Sequence, residues 1–507
     1  MLERRDKWLY IVRRPIVCAI TNFLHGPIYP AIYSLLVLMS SFLGLEIFIF
    51  SLTACIFIFI CLFSEDTIPI IPLAVLVVYA MSWRHTSQPP YYSSFLYERS
   101  TLWLLGCLAT LSVFAMIFRI FVAGATNFSF RRSILFSGLL LLGLSFVFNG
   151  VLSAQFVAKD TVLGCVIAFS FVAIYFFLGK TNDKIEAKTD YAQWIGYVFF
   201  LATLVIEIQV AKLLLFGHNI SGEHISVFTQ TGSINKDLMI AGWGMSNNVG
   251  GMLAIFLPAT LFLAYRLKNG WIFYVLSFLQ VAFICCTLSR SSILFAGLLL
   301  LGAAVLFMII PSRNRKFFRI FNGFIFFCAV IGAFVLFDVI REIFSVVFDR
   351  GFGDSNRFEI WRNGVLNFFS APWFGVGFFA SFHVDVNIEN WLFPDMYHNI
   401  VIQILASCGL FGIFAYTLHL SQIFALLVRK LTPERIFYFA IFFMISGTSL
   451  LDNHIFHVFP ALLYSIILYF WESSIVPKTQ GILADLQRTT FHRSFAERID
   501  SYKKIVF

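Results

Sequence analysis

The chain has 507 residues, of which 59% are hydrophobic and 12% charged, with a formal net charge of +9 and a mean hydropathy of +0.85. Soluble domains carry roughly a quarter charged residues, so a soluble globular fold is excluded. In a chain this apolar the positive charge encodes orientation in a bilayer, not affinity for nucleic acid. The nine cysteines lie in or beside apolar segments without Cys-x-x-Cys or Cys/His spacing. They read as small buried hydrophobes, and no metal site is expected.

The basic start, with Arg4, Arg5, Lys7, Arg13 and Arg14, is not followed by a short apolar stretch and a small-residue cleavage site. A cleaved secretory leader is therefore not expected, and residues 1–27 read as a basic cytoplasmic N-terminus. A span needs about 20 apolar residues. Apolar stretches of that order fall at 28–44, 46–63, 67–82, 101–123, 134–156, 160–179 and 191–213, which together make an N-terminal transmembrane region over 28–246. The third is short and proline-interrupted. Further stretches lie at 247–266, 271–288, 292–310, 318–339, 399–428, 433–451 and 456–473. The expected fold is an all-α, polytopic transmembrane helical bundle of about 12–14 spans. Placing both termini in the cytoplasm puts most of the lysines and arginines inside. The outside exceptions are Arg84, Arg99, Lys159, Lys212, Lys236, Arg290, Arg341, Arg350, Arg357 and Arg362.

Four of those arginines share the longest stretch between spans, 341–397. It also holds Trp361, Trp373, Trp391, Pro372 and Pro394, too aromatic for a disordered linker. Short amphipathic or re-entrant helices on the outer surface are expected. The last segment, 474–507, carries Ile482, Leu483, Leu486, Phe491, Phe495 and Ile499 between basic residues. It reads as a cytoplasmic amphipathic tail.

The polar residues at the outer span edges carry the functional reading. Arg290 sits in Thr287-Leu288-Ser289-Arg290-Ser291-Ser292. It is either a snorkelling interface arginine or an anion clamp whose fork of donors fits phosphate oxygens, with the flanking hydroxyls forming a polar pocket around it. Arg357 is either half of an exposed loop ion pair with Glu359 or Asp354, worth little, or a second cation on the same phosphate. Arg341, Arg350 and Arg362 are weaker rivals for that role. His398 is either an interfacial cap or a general base, since its ordinary titration range suits proton transfer near neutrality. Asn399 follows it directly. Gly409 and Gly412 would let a neighbouring helix approach closely. Asp452, Asn453, His454 and His457 are either a solvated turn or partners that shape the arginine site. Asn247 and Asn248 read as helix caps. No Walker loop, GxGxxG or Gly-x-Ser-x-Gly elbow is placed for function, which argues against ATP hydrolysis and serine nucleophiles.

Thr287-Leu288-Ser289-Arg290, Arg357-x-x-x-Trp361, Pro372-Trp373-Phe374-Gly375-Val376-Gly377 and His398-Asn399 with Gly409 and Gly412 together resemble the O-antigen ligase/polymerase superfamily of bacterial inner-membrane proteins. The resemblance covers about 247–460 and implies a catalytic membrane region over 247–473 that includes the loop 341–397. It implies a GT-C-like, metal-independent glycosyltransferase that needs no cofactor. The donor would be an undecaprenyl-diphosphate-linked glycan, and the acceptor a hydroxyl on lipid A–core in a ligase or on a growing glycan in a polymerase. It further implies a multi-pass protein of the bacterial inner membrane with its active face periplasmic, working beside a flippase and a chain-length regulator. His398 and Arg290 take the catalytic roles, Arg290, Arg357 and Arg362 the diphosphate, and Asn399 and Asp452 supporting roles. The rival from another class is a lipid-linked oligosaccharide or polysaccharide transporter, which would want charges at mid-membrane depth. Glu207 and Lys212 are the nearest to that.

Overall fold

The computed structural model describes residues 12, 14–64, 66–81, 99–123, 133–182, 190–220, 223–230, 232–242, 244–310, 312–335, 357–379, 397–428, 432–452 and 454–474. Among the described residues the chain is a helical bundle, apart from a two-stranded hairpin. Helices α1 (Pro15–His25), α2 (Ile28–Leu43), α3 (Glu46–Phe63), α4 (Ile70–Leu76), α5 (Arg99–Phe118) and α6 (Phe136–Val147) come first. Helices α7 (Ala158–Ala168) and α8 (Ile174–Asn182) form one rod through a π turn, and α9 (Tyr191–Phe216) leads into the hairpin β1 (His218–Ile220) and β2 (Glu223–Ile225). Then follow α10 (Ser246–Arg266), α11 (Gly270–Cys286), α12 (Arg290–Ile309), α13 (Arg315–Val335), α14 (Arg357–Ser370), α15 (Ile400–Leu427), α16 (Pro433–Ser449) and α17 (Val458–Ser473).

Every apolar stretch read as a span contains a helix. Seven described segments are long and apolar enough to cross a membrane alone, and α1 with α2, bent by 70°, makes an eighth if the pair is one span. Others are shorter. Ile70–Ala80 and Phe136–Val147 reach roughly 17–18 Å at 1.5 Å per residue, against a hydrocarbon core of about 30 Å. Of the expected outer loop, α14 is a 14-residue helix with mixed exposure. Residues 341–356 and 380–396, and the expected tail helix, lie outside the described residues.

The bundle is organised around α10. Its most apolar window is 89% buried, against 17% for α12 and 11% for the span containing α5. Its hydropathy is nonetheless lower, 1.6 against 2.6 for α12. The most apolar of these spans, α12, is mostly exposed on the bundle surface, whereas the central one relies on small residues that let neighbours close in. Gly250, Gly251, Ala254 and Ala259 are such positions. A buried polar bridge fastens the centre: Thr260 Oγ1 donates to Gln280 Oε1 at 2.8 Å, and Gln280 Nε2 donates to Leu253 O at 2.7 Å.

The two ends of the bundle are distinct. At one, Arg266 at the end of α10 pairs with Asp190 before α9 (2.9 Å) and with Glu434 in the first turn of α16 (3.6 Å). The other end therefore gathers the start of α10, the start of α12, the start of α15, and the turn between α16 and α17.

Close to that second end α15 is broken. Gly409 adopts φ 65° and ψ −155° inside it. In an unbroken helix Leu410 N–H and Phe411 N–H would bond to the carbonyls four residues back, Ala406 and Ser407. Instead Leu410 N donates to Pro372 O (2.8 Å) and Phe411 N to Trp373 O (3.1 Å). The freed carbonyls of Ala406 and Ser407 accept from Val376 N (2.8 Å) and Gly377 N (3.2 Å). The segment 372–377 thus takes over the two helical bonds that the break removes. It reaches further, to the end of α6: Gly150 N donates to Phe374 O (2.8 Å), Phe378 N to Asn149 Oδ1 (3.0 Å) and Phe379 N to Asp160 Oδ1 (2.8 Å). Gly409 was expected to admit a neighbouring helix. What it admits is a loop, and a Cβ there would lie 2.6 Å from Gly375 N and Pro372 O. Gly412 faces its own helix, against Cys408 and Ile404.

Gly409→Ala is expected to destabilise the protein by at least ~1–2 kcal/mol from the left-handed backbone alone, with the backbone clash in addition. Gly106→Ala, in the interior of α5 with nothing within 4 Å of the added carbon, is expected to be neutral or stabilising by up to ~1 kcal/mol. Thermal unfolding of both variants in detergent checks the opposite signs.

Candidate functional site

Two non-glycine residues among those described have positive φ: Leu288 (56°) and His398 (51°). Both lie in the motifs singled out from the sequence, and such backbone costs energy that the surroundings must hold in place. Around His398 the restraints are explicit. Tyr397 is fully buried, its N–H donating to Gln403 Oε1 at 3.0 Å and its hydroxyl accepting from Asn367 Nδ2 at 2.8 Å. On the other side Asn399 caps α15, accepting from Val401 N and Ile402 N at 2.9 and 3.1 Å. Its Nδ2 donates to Leu450 O at 3.1 Å, tying α15 to the turn after α16. His398 is held between two anchored neighbours, and that sets the direction of its ring.

That ring meets Asp452, with Nδ1 to Oδ1 at 3.0 Å. The histidine side chain is 34% exposed and the carboxylate 9%. Burial pushes the Asp452 carboxyl up, but the hydrogen bond from His398 and the charges of His398 and Arg357 outweigh it, so the group is held below its ordinary range. It is therefore a carboxylate near neutrality and can only accept. His398 Nδ1 must then carry the proton, which leaves Nε2 as the ring's free acceptor when the imidazole is neutral.

Arg357 joins this pair through α14. Trp361 Nε1, four residues on and so on the same helical face, donates to Tyr397 O at 2.8 Å. Gly364 admits Tyr397 and Ile402 so closely that a Cβ would lie 2.8 Å from the tyrosine ring. This docking turns the first turn of α14 towards His398, and the charge of Arg357 is felt at Asp452. The Arg357-x-x-x-Trp361 spacing thus has a mechanical meaning. The alternative ion pair of Arg357 with Glu359 is not formed, and Asp354 lies outside the described residues. Arg362 lies exposed on the same helix without a contact that draws it to the cluster. Arg341 and Arg350 lie outside the described residues.

Arg290 is the first residue of α12 and is exposed. Among the described residues it has no acidic partner. The hydroxyls beside it do not form a pocket around it, contrary to expectation. Thr287, Ser289, Ser291 and Ser292 are buried, with Ser289 Oγ and Ser292 Oγ 2.8 Å apart. They pack on Gly250 of α10, where a Cβ would lie 2.9 Å from Ser289 Cβ. The next residue, Gly251, receives His454: a Cβ there would lie 2.6 Å from its Nε2. The adjacent glycines thus set the Arg290 turn and the Asp452–His454 turn side by side. Asp452, His454 and His457 do not form a solvated turn, and Asn453 lies outside the described residues. Asp452, His454 and His457 are 6%, 1% and 5% exposed, and burial lowers both histidines, His457 to about 3. They are neutral near pH 7. Asn247 and Asn248 do not cap α10, whose start has no side-chain cap.

Sequence reasoning missed the roles of Gly250, Gly251, Tyr397, Asn149 and Asp160. The Gly-Gly pair near the start of the apolar stretch 247–266 was the available signal. Among the described residues no group of three or more His, Cys, Asp or Glu side chains is placed to hold a metal ion.

These features define a multi-pass helical membrane protein with a histidine–carboxylate pair and two arginines at one end of its bundle. Residues 275–417 match the family model described as O-Antigen ligase. The match bears out the resemblance to the O-antigen ligase/polymerase superfamily. It takes in Arg290, Arg357, Arg362, His398 and Asn399 and ends before Asp452. No curated protein matches the chain.

The depressed Asp452 carboxyl makes a signed prediction. A carboxylate whose folded pKa lies below its unfolded value, about 3.9, stabilises the fold above that value, and the contribution is lost as pH falls through the folded pKa. The difference in unfolding temperature between wild type and Asp452→Asn should be greatest at neutral pH and shrink below about pH 4. A pH-independent difference would refute it.

Proposed function

We propose that the chain is a glycosyltransferase of the O-antigen ligase or polymerase type. It moves glycan from an undecaprenyl-diphosphate-linked donor to a hydroxyl acceptor at the external face of the inner membrane. The carrying observation is the His398–Asp452 pair at 3.0 Å, partly exposed on the same end of the bundle as Arg290 and Arg357. In the proposed step the acceptor oxygen attacks the anomeric carbon. The bond from that carbon to the phosphate oxygen breaks, and the lipid diphosphate leaves with the electron pair. The hydroxyl proton passes to His398 Nε2, and Asp452 stabilises the imidazolium that forms. Arg290 and Arg357 offset the charge that develops on the diphosphate, with Arg362 in reserve on the exposed side of α14. Asn399 positions the histidine. No step calls for a metal or an organic cofactor.

The acceptor is lipid A–core if the protein is a ligase, or a growing repeat-unit chain if it is a polymerase. Partnership with a flippase that supplies donor, and with a chain-length regulator, belongs to the same reading. A transporter would draw on Glu207, which is buried in α9. The gathering of cations at one end favours transfer.

The test uses variants that respect the backbone. Asparagine tolerates the left-handed conformation better than alanine, so His398→Asn is expected to fold like wild type yet lose ~10²–10⁴-fold in transfer rate. Arg290→Lys is expected to recover little of what Arg290→Ala loses, because an ammonium cannot replace the bidentate fork. Both are read with purified protein and lipid-linked donor and acceptor. Full transfer by His398→Asn would refute the role of the histidine. Movement of donor across vesicles with no acceptor present would favour the transporter.

A further inference from the structure

A cavity of about 580 Å³ opens at the same end of the bundle, a size typical of small-molecule sites. It lies between the C-terminal ends of α2 and α9, the hairpin and residues 240–242. Its rim is apolar, with Phe42, Leu43 and Phe216 among the lining residues, and all three are exposed on the bundle surface, at 41%, 63% and 66%. Its inner surface is polar and basic: Gln209, Lys212, His218 and His224 line it. No aspartate or glutamate is among the described lining residues. Lys212 Nζ lies 4.3 Å from the centre of the Phe42 ring and forms no ion pair among the described residues. Gln209 is 5% exposed, and its Nε2 donates to Tyr79 O at 2.8 Å. Its Oε1 is buried without a hydrogen-bond partner among the described residues. A buried acceptor left open is costly, and beside a cation with no counter-ion it marks a site prepared for a ligand.

The place of the cavity is fixed by its neighbours. Tyr79 lies behind the lining residue Gly242, where an added Cβ would lie 2.5 Å from its ring. That ring also packs on Phe459 at 6.0 Å between centroids, two residues after His457. The Tyr79–Phe459 pair therefore links the cavity wall to the start of α17, next to the turn that carries Asp452. A transfer reaction between two membrane-bound substrates needs a place for each lipid at one end of the bundle.

We propose that this cavity binds the anionic headgroup of a second lipid, the one bearing the acceptor, with its phosphate on Lys212 and its tail leaving over Phe42, Leu43 and Phe216. The inference rests on the transferase reading and deepens it, since it assigns the acceptor to a phosphate-bearing amphiphile. An apolar rim on a basic interior fits that chemistry better than a free sugar, and a cation over an aromatic ring is readily recruited by phosphate because its present partner is weak.

Equilibrium binding of farnesyl diphosphate to the full chain in detergent tests this without any transfer step. A protein carrying Arg290→Ala and Arg357→Ala should still bind it. Adding Lys212→Gln should weaken that binding at least about tenfold. Inorganic diphosphate should bind at least about tenfold more weakly than farnesyl diphosphate, because it lacks the tail. His224→Ala, a change in the hairpin, should give a smaller loss in the same direction and guards against misfolding of the Lys212 variant. Unchanged binding in Lys212→Gln would overturn the proposal, as would loss of all binding in the arginine double variant. Equal binding of inorganic diphosphate would show a site for a free anion and overturn the lipid assignment. In the transfer assay Lys212→Gln should raise the acceptor KM while leaving the donor KM and kcat in place. If no transfer occurs with any acceptor but the binding pattern holds, the transferase reading fails and the lipid site stands.

Discussion

The four backbone hydrogen bonds exchanged between 372–377 and 406–411 govern the shape of the functional end. A helix interrupted inside an apolar bundle exposes two donors and two acceptors, each costing several kcal/mol if left unpaired in hydrocarbon. Here the bonds are returned by one loop segment in the register the break requires. Gly409 and Gly375 are needed because a side chain at either would meet backbone atoms of the other strand. The loop is therefore locked to α15 at one point and, through Asn149 and Asp160, to the ends of α6 and α7 at another. Helix α14 runs directly into that lock and docks on Tyr397 through Trp361, so the position of Arg357 is inherited from a backbone splice further along the chain.

This explains why α6 is short. An unbroken apolar stretch over 134–156 looks like a full span. The structure ends the helix at Val147 because the loop occupies the space beyond, and the buried Asn149 and Asp160 side chains supply the bonds that irregular backbone needs at this depth. Hydropathy carries no information about what fills the last third of a span, so span positions were legible and span completeness was not. The same holds at Gly409. A glycine in an apolar helix reads as a contact for another helix, and only the partner loop reveals it as a break.

The site was legible to a different degree at each residue. His398 and Arg290 stood out because charge at an outer span edge is costly, and Arg357 because it lies in the arginine-rich loop and, with Trp361, in a motif that resembles the family's. Asp452 was expected to shape the arginine site or support it, but its pairing with His398 was not legible, because 54 residues separate the two and a run of Asp, Asn and His also reads as solvent-facing polarity. Burial reverses that reading. With His454 and His457 buried and neutral, the charge left in the turn is the carboxylate, and it can serve only His398 and Arg357. The serines around Arg290 mislead in the opposite way: they suggest a pocket for the arginine, yet they are spent on packing against Gly250 and leave the guanidinium in the open.

An arginine with no acidic partner among the described residues, beside a carboxylate already committed to a histidine, is an arrangement prepared for an incoming anion. Had Asp452 been placed against Arg290, the pair would have neutralised itself and left the histidine unoriented. The turn between α16 and α17 instead assigns the carboxylate to His398, and the glycine pair of α10 sets the Arg290 turn beside it without an ion pair between the two. The proposed transfer would need that division, since its leaving group would gain negative charge while its nucleophile loses a proton, and one shared ion pair could not serve both ends of such a reaction.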